Sequence, residues 1–354
     1  DYNVLIMMSK ILHILLIFSL PAGLWAHINE DTVQLPLRMV NPEIDVPDSL
    51  DTQSVYEGLF LDAEPLRLTL ELDDKKFQRT RRQEEDQPAE MTNRVNDTLG
   101  LRNSVRVKAR GNYRRDNCEM PPFWLNIRHS GIDTPELEGV RRMKVVIPCR
   151  DAKQYEEYLL REYLVYRMYN LISPYSYRVR LVRLTMVDTG RNNEESESWA
   201  FLIEPNEMLS RRLNAREMKH DKLSNHSVNN GAIDLLSMFQ YMIGNVDFSV
   251  RGRHNLKILA MTSPDPTGFV PVPYDFDYSG LVNARYAVPT EGLGINSVRE
   301  RYYLGPDRSS FIHLRAAEKI AAVREEIMEM ILAFEFLPAE ERMDMIGYLE
   351  DFFI

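Results

Sequence analysis

The sequence predicts an α+β fold in two parts, a β-rich first half that carries one long helix and a second half that is mainly helical. Residues 66–72 alternate apolar and polar side chains, as a half-buried strand does, and similar runs recur through the first half. The period then changes, because residues 151–172 place apolar side chains at helical spacing over roughly five to six turns. A chain of 354 residues with 44% hydrophobic and 27% charged residues is long enough for two such parts and excludes global disorder.

The remaining elements follow in chain order. Further strands are predicted at 105–109, 123–127, 143–147, 177–187 and 199–203, whereas the highly charged residues 75–96 are typical of a solvated loop or an interrupted hairpin. Helices are predicted at 233–243, 310–332 and 338–353, with short strands at 254–260 and 269–274. The pattern divides the chain into an N-terminal extension with β-strands at 27–100, a β-rich lobe at 101–204 and a helical lobe at 205–354.

The N-terminal residues 1–26 have the pattern of a secretory signal peptide. Lys10 precedes the apolar run 11–20, which Pro21 follows, and the small residue Ala26 marks a cleavage site. The run is shorter than the ~20 apolar residues of a membrane span, and no later segment is long and apolar enough to span. We therefore expect a secreted, periplasmic or cell-surface protein without a membrane span after cleavage. An uncleaved anchor or a buried helix is the alternative interpretation of this segment.

Charge and cysteine content narrow the class of protein further. The formal net charge of −10 argues against a general nucleic-acid binder, which needs a basic face. Cys118 and Cys149 are too few for a disulfide-rich scaffold or, by themselves, for a four-thiolate zinc site. In an oxidising compartment a disulfide between them is expected, since each lies beside a predicted strand, and two separate buried thiols are the alternative. The histidines show no zinc spacing, which argues against a zinc hydrolase.

Two segments of the first half could bind phosphate groups. Arg110, Gly111 and Asn112 follow a predicted strand, and Lys144 lies on a later one, just before the long helix. A glycine turn offers backbone N–H groups and a strand lysine offers an ammonium, and both suit phosphate oxygens. The alternative is an ordinary turn and a lysine that faces solvent.

Two polar segments of the second half could carry phosphoryl-transfer chemistry. An apolar helix ends in a loop that contains Asp247, and Asn255 opens the next strand. Asp275 and Asp277 follow another apolar strand two residues apart, so they point to the same side and repel each other unless a cation such as Mg²⁺ neutralises them. The alternatives are an Asx turn that caps the helix and a pair of solvated turn residues.

The order of these residues is more specific than any one of them. Asp247, Asn255 and Asp275 follow the order of catalytic aspartate, metal-binding asparagine and metal-binding aspartate that protein kinases use. Together with a preceding β-rich half that contains a lysine strand and a helix, this order predicts a two-lobed protein-kinase-like fold, with a β-rich N-lobe carrying one long helix and a mainly helical C-lobe.

At the level of motifs, the chain resembles the CotH kinase-like family, the spore coat protein H type of atypical protein kinase. The resemblance extends from about Val105 to Ser279. It is carried by the segments 107–112, 160–166, 201–204, 247–255 and 275–277. This sequence departs from the family where residues 121–126 lack a lysine and where Tyr274 stands in place of the usual tryptophan.

The resemblance implies ATP-dependent phosphorylation of Ser or Thr in an envelope or surface protein, with Mg²⁺ or Mn²⁺. It assigns Asp247 as the catalytic aspartate and three residues as metal ligands, namely Asn255, Asp275 and Asp277. Residues that would contact the cofactor or its phosphates are Arg110, Gly111, Lys144, Arg161, Glu162 and Glu204. Two alternatives remain open at this point: a catalytically inactive kinase-like binding module, and an adhesion protein in which Asp275 and Asp277 hold a structural cation.

Overall fold

Seven β-strands of the first half of the chain close into a barrel. The computed structural model describes residues 56–353 except 57, 62–63, 84, 97–98, 112, 133, 219–226 and 263–267, so the predicted signal peptide and Asn112 lie outside the described residues. The strands are β1 (Leu66–Leu72), β2 (Gln87–Arg94), β3 (Gly100–Ala109), β4 (Phe123–Asn126), β5 (Arg142–Val146), β6 (Val179–Asp188) and β7 (Glu194–Ile203). Their order around the barrel is β1-β2-β3-β4-β5-β7-β6.

A parallel strand pair closes the barrel. All other neighbours are antiparallel, whereas β1 runs parallel to β6, with Leu68 opposite Leu184. Alternate side chains point inward and form one apolar core, in which Leu70, Val107 and Leu125 are almost fully buried. Closure leaves no free edge on these strands.

Eight α-helices and a second small sheet complete the part of the chain that the structure describes. The helices are α1 (Asp74–Thr80), α2 (Tyr113–Asn117), α3 (Lys153–Ile172), α4 (Asn206–Arg212), α5 (Asn230–Met242), α6 (Ser310–Ala321), α7 (Arg324–Leu332) and α8 (Ala339–Phe353). The sheet has the order β10-β9-β8, from β8 (Ala215–Glu217), β9 (Leu256–Met261) and β10 (Phe269–Pro273). None of the described helices is both long and apolar enough to cross a membrane.

Helix α3 lies between the barrel and the second half. On one side the ring of Tyr166 packs against Phe201 of β7, with centroids 5.7 Å apart, and on the other it meets Phe276 at 4.7 Å. Tyr163 makes a similar pair of contacts, with Phe201 and with Phe334 beyond α7. Aromatic packing of this kind adds to the burial of apolar surface and fixes the orientation of α3. The helix therefore fixes the polar groups on its surface relative to both parts.

The predicted two-lobed protein-kinase-like fold is wrong. That fold has a β-rich lobe with one long helix beside a mainly helical lobe, whereas here the seven strands form a closed barrel, α1 and α2 accompany the long helix, and the second half contains its own sheet. Two causes explain the error. The inward side chains of β2 include Gln87 and Asn93, which hides its alternation, and the parallel pairing of β1 with β6 joins segments too distant in sequence to leave a local signal.

The predicted disulfide is confirmed. Cys118 follows α2 and is bonded to Cys149, which follows β5, so the bridge ties α2 to the connection that leads into α3. The backbone supports the same junction, because the N–H of Glu119 donates to the carbonyl of Cys149 at 2.9 Å. The disulfide thus fixes the position of α2 beside the start of α3.

Candidate functional site

The loop between α5 and β9 folds back on itself and brings Asn255 onto Asp247. Ser249 and His254 exchange two backbone hydrogen bonds, of 3.1 and 3.0 Å. The side-chain amide of Asn255 then donates to the backbone carbonyl of Asp247 at 2.8 Å and to its Oδ2 at 2.9 Å. His254 Nε2 lies 2.8 Å from Oδ1 of the same carboxylate. Both oxygens of Asp247 are therefore held by neighbours from its own loop.

Two polar residues of the site have a left-handed backbone. Asp275 has φ 67° and Asn255 has φ 51°. The backbone N–H of Tyr274 donates a hydrogen bond to the carbonyl of Asn255 at 3.0 Å. The N–H of Asp275 donates to the hydroxyl of Tyr166 on α3, at 2.8 Å. This conformation costs an ordinary L-residue about 1–2 kcal/mol, although Asp and Asn adopt it more readily than most. The hydrogen bond to Tyr166 ties the Asp275 backbone to α3, the helix that carries Glu162.

Two buried carboxylates lie beside Asp275. Glu162 of α3 and Asp277 are both almost inaccessible to solvent. Burial and repulsion from Asp275 raise the pKa of Asp277 to about 7, and burial and repulsion from Asp277 raise the pKa of Glu162 well above its usual range. The hydroxyl of Tyr286 donates to Asp277 Oδ2 at 3.1 Å. These carboxylates therefore form an electrostatically strained acidic cluster.

Basic groups face this acidic cluster. The Lys144 ammonium lies 4.5 Å from the ring centroid of Tyr274 and is also near the rings of Tyr177 and Trp124. Burial, with repulsion from Arg110, lowers the pKa of Lys144 to about 7. Burial also lowers the pKa of Arg110, although attraction to Asp275 opposes this effect. A negatively charged group placed between the two would stabilise both cations.

The structure places two of the predicted site residues in other networks. Arg161 faces α8, where its guanidinium donates to the Leu281 carbonyl at 3.1 Å and to Asp344 at 2.9 Å, and pairs with Glu341. The buried Glu204 accepts two hydrogen bonds from Arg212, of 2.9 and 2.8 Å. Neither side chain is brought to the acidic cluster.

Gly111 follows β3 with φ 85°, a backbone conformation that favours glycine. The space beside its Cα is open, since an added Cβ would come no closer than 4.0 Å to the side chain of Arg114. The turn is therefore open on the side where a side chain would project, and the predicted contact of Gly111 with phosphate stays a prediction.

The donor chemistry suits a divalent cation, but the protein does not provide a complete cage. Asp275, Asp277 and Asn255 offer the carboxylate and amide oxygens that Mg²⁺ prefers. Among the residues that the structure describes, no group of three or more His, Cys, Asp or Glu side chains lies close enough to hold a metal ion. Mg²⁺ at nucleotide sites usually takes one or two carboxylates and completes its sphere with phosphate oxygens and water, so the two findings are compatible.

Sequence reasoning missed several residues of the site. Arg114 of α2 reaches the acidic cluster with a side chain that is only 15% exposed, and nothing in the sequence distinguishes it from its neighbour Arg115. Tyr166 and Tyr286 were indistinguishable from core aromatics, because a hydroxyl that bonds a site residue leaves no trace in the apolar pattern. His254 could have been suspected from its position next to Asn255.

No family model matches this chain, and no curated protein matches it.

Proposed function

We propose that this site transfers the γ-phosphoryl group of ATP to a Ser or Thr hydroxyl of an envelope or surface protein, with Mg²⁺ or Mn²⁺, as the CotH kinase-like resemblance implies. One observation carries the proposal: Asp277 interacts electrostatically with Asp275 and Asp247, and Asp275 interacts in turn with the basic groups Arg110 and Lys144. Phosphoryl transfer requires little beyond positioning and neutralisation of charge, and these residue types supply both.

On the acceptor side, Asp247 is the group that receives the hydroxyl. Its carboxylate is partly exposed, and Asn255 and His254 fix its orientation through one hydrogen bond to each oxygen. A carboxylate held in this way accepts a hydrogen bond from the acceptor hydroxyl and takes its proton as the new P–O bond forms. Asn255 thereby positions the base in addition to offering its amide oxygen.

On the phosphate side, Lys144 and Arg110 bind the negative charge of the nucleotide. Lys144 is buried, Arg110 is half-buried and the two cations repel each other, so an anionic ligand removes a cost that the free protein carries. Asp275 and Asp277 would hold the divalent cation, which neutralises phosphate charge when bound. The proposal rests on these residues and not on the fold, since the same chemistry recurs on unrelated architectures.

We also propose that the protein acts outside the cytoplasm. The disulfide between Cys118 and Cys149 supports this, because such bridges persist in oxidising compartments and are rare in reducing ones. The acceptor would then be another exported or surface protein.

The test is label transfer from γ-labelled ATP. Purified protein is incubated with Mg²⁺ or Mn²⁺, the labelled nucleotide and a generic Ser/Thr-rich acceptor protein, and the label is also sought on the chain itself. We expect transfer by the wild type and a loss of about a hundredfold or more in Asp247→Asn and in Asp275→Ala. Asp351→Asn, an exposed aspartate of α8, is the matched control and should keep full activity.

Thermal shift with ATP and Mg²⁺ separates the outcomes. Label transfer that depends on Asp247 supports the phosphotransferase. A nucleotide-dependent shift in melting temperature without label transfer would indicate an inactive nucleotide-binding module instead of a phosphotransferase. Neither transfer nor any nucleotide-dependent shift would overturn the proposed function, and a shift with metal alone would favour a structural cation site.

A further inference from the structure

Outward side chains of β3, β4 and β5 place several cations around one tryptophan. The inward side chains of these strands, among them Val107, Leu125 and Val145, belong to the apolar core of the barrel, so the alternate side chains face outward. Strand pairing arranges the outward side chains in two rows, the first with Arg106, Asn126 and Arg142 and the second with Lys108, Trp124 and Lys144. Arg110 continues the pairing beyond β3, since its N–H donates to the Pro122 carbonyl at 2.8 Å. This basic strip consists of Arg106, Lys108, Arg110, Trp124 and Arg142.

The indole ring of Trp124 holds the charged ends of its neighbours. The guanidinium of Arg142 lies 4.2 Å from the ring centroid, that of Arg110 lies 5.4 Å from it, and the Lys144 ammonium lies 5.8 Å from it. Cations at these distances are attracted to the face of an aromatic ring. Arg106 is oriented differently, because its guanidinium donates to the backbone carbonyl of Asp86 at 2.6 Å. Side chains that are already oriented lose less conformational freedom when a partner binds them.

The positive charge of the basic strip is not balanced by the described residues. No carboxylate in that part of the chain forms an ion pair with Arg106, Arg110 or Arg142. Arg102, which is also on the outward face of β3, differs from them because it pairs with Glu71 at 3.1 Å. The chain as a whole has a net charge of −10, so this local excess of positive charge is the opposite of the average surface. The strip therefore creates a positive potential that attracts an anionic partner.

The basic strip ends at the candidate site. The ammonium of Lys144, which lies beside the strip, is 4.5 Å from the ring centroid of Tyr274, the residue before Asp275. At the same end, Arg110 is attracted electrostatically to Asp275. Each strand residue advances about 3.3 Å, so Arg106 lies roughly 13 Å from Arg110 along β3. A segment bound along the strip therefore leads toward the group of residues proposed to carry out phosphoryl transfer.

We propose that the basic strip binds an acidic segment of the acceptor protein, so that the site prefers Ser or Thr residues in Asp- and Glu-rich sequence. Guanidinium groups suit carboxylates, because they present several N–H donors in one plane. A protein segment fits better than a nucleic acid, since a nucleic-acid binder needs an extended basic face and the rest of this chain is negatively charged. The inference rests on the proposed function for the existence of an acceptor protein, and it goes further by naming the class of sequence that is accepted.

The experiment measures peptide binding to the full chain without nucleotide, by fluorescence anisotropy. The probe is a short labelled peptide in which one Ser is flanked by Asp and Glu residues, and the comparison peptide has Asn and Gln in their places. We expect the acidic peptide to bind at least about tenfold more tightly than the neutral one. Its affinity should fall as the salt concentration is raised from about 0.05 to 0.5 M, because salt screens exposed charges.

Variants of exposed arginines locate the binding surface. The double variant Arg106→Gln/Arg142→Gln should weaken binding of the acidic peptide about fivefold or more and leave binding of the neutral peptide unchanged. Arg94→Gln, an exposed arginine of β2, is the matched control and should bind both peptides as the wild type does. Arg106 is opposite Pro88 of β2, so Arg94 lies about 20 Å farther along that strand.

Two kinds of result would overturn the proposal. The first is equal binding of the acidic and neutral peptides, or binding of the acidic peptide that the double variant retains in full. The second is tighter binding of a single-stranded DNA oligonucleotide, or of phosphatidylglycerol vesicles, through Arg106 and Arg142, which would assign the basic strip to a nucleic acid or to a membrane surface instead.

These measurements are separable from phosphoryl transfer. Binding of the acidic peptide that depends on Arg106 and Arg142, without label transfer from ATP, would support the basic strip and reject the proposed function alone. Label transfer with equal KM values for acidic and neutral acceptors would keep the proposed function and reject the acidic-segment assignment. Where both hold, the double variant should raise KM for the acidic acceptor more than it lowers kcat.

Discussion

Replacement of Asp277 by asparagine tests whether the cleft carries buried negative charge. In the folded protein this carboxyl is 6% exposed and lies beside Asp275. Its pKa rises from the ordinary value of 3.8 to about 7, because of burial first and of repulsion from Asp275 second. An amide is nearly the same size, still accepts from Tyr286, and has no charge to bury. Asp277→Asn therefore removes the electrostatic cost without opening a cavity.

The sign and size of the effect follow from linkage. Since the folded-state pKa is the higher one, the native protein binds the extra proton between about pH 4 and pH 7, and stability from this group falls as the pH rises through that window. The change from 3.8 to about 7 corresponds to roughly 4 kcal/mol, at 1.4 kcal/mol per pH unit. When the pH is raised from 4.5 to 8, we expect the free energy of unfolding of Asp277→Asn to increase by about 3–4 kcal/mol relative to that of the wild type.

The assay is urea denaturation of both proteins at a series of pH values, with Asp351→Asn as the exposed control. Only the change in the difference between variant and wild type matters, so any pH-independent effect of the substitution cancels. A difference that stays constant from pH 4.5 to 8, or that favours the wild type increasingly at high pH, would refute the reasoning. Added Mg²⁺ should reduce the difference at pH 8, because a bound cation stabilises the carboxylate that asparagine lacks.

Three further predictions concern the disulfide, a glycine and a buried lysine of the fold. Reduction of the Cys118–Cys149 bridge, or its replacement by alanines, should lower the free energy of unfolding by about 3–4 kcal/mol in denaturant titrations, given a sequence separation of 31 between the two cysteines. Gly244→Ala should lower the melting temperature markedly in calorimetry, because φ is 66° and the new Cβ would come within 2.1 Å of the Tyr348 hydroxyl; an unchanged melting temperature would contradict this. Lys144→Met should stabilise the protein more at pH 6 than at pH 10 in urea titrations. Folding lowers the pKa of Lys144 to about 7, so its positive charge destabilises the folded protein fully below pH 7, and this cost disappears as the pH rises past the pKa of an unfolded lysine.

Local periodicity predicted most elements of the fold but not their closure. The strand at 66–72 was predicted with the bounds it has, and the helix predicted at 151–172 begins only two residues later. The single helix expected at 310–332 is instead α6 and α7, which are interrupted at Ala322 and Val323, because the apolar spacing continues across the break. Periodicity describes which face of an element is apolar, and it carries no information about a short interruption that preserves the face.

The charged segment before β3 shows the opposite failure. It was expected to be a solvated loop or an interrupted hairpin, but it contains α1 and β2, and β2 is a full member of the barrel. The inward positions of β2 are polar at both ends, at Gln87 and Asn93, and apolar between them, at Ala89 and Met91. Asn93 is only 2% exposed although its side chain is polar. A buried polar side chain cannot be distinguished from a solvated one by sequence pattern alone.

For the candidate site, chain order accounts for how Asp247 meets Asn255 but not for where the basic residues lie. Asp247 and Asn255 are joined by a short hairpin, so their sequence spacing already determines that they meet. Arg114 and Arg161 look equally suitable in sequence, yet one faces the acidic cluster and the other faces α8. Which surface an arginine reaches is decided by tertiary packing, and a long flexible side chain gives no pattern from which to read it.

The location of the site is supported by several independent departures from the usual rules of protein structure. Buried charges at Glu162 and Asp277 are unfavourable for stability, and left-handed backbone at Asn255 and Asp275 is strained. The other described non-glycine residues with positive φ are Arg253, beside the same loop, and asparagines of connecting segments. Buried charge and left-handed backbone each occur elsewhere in the described chain, and at this site the two occur together. These features depend neither on the barrel nor on the family resemblance, so the acidic cluster remains the candidate site although the expected fold was wrong.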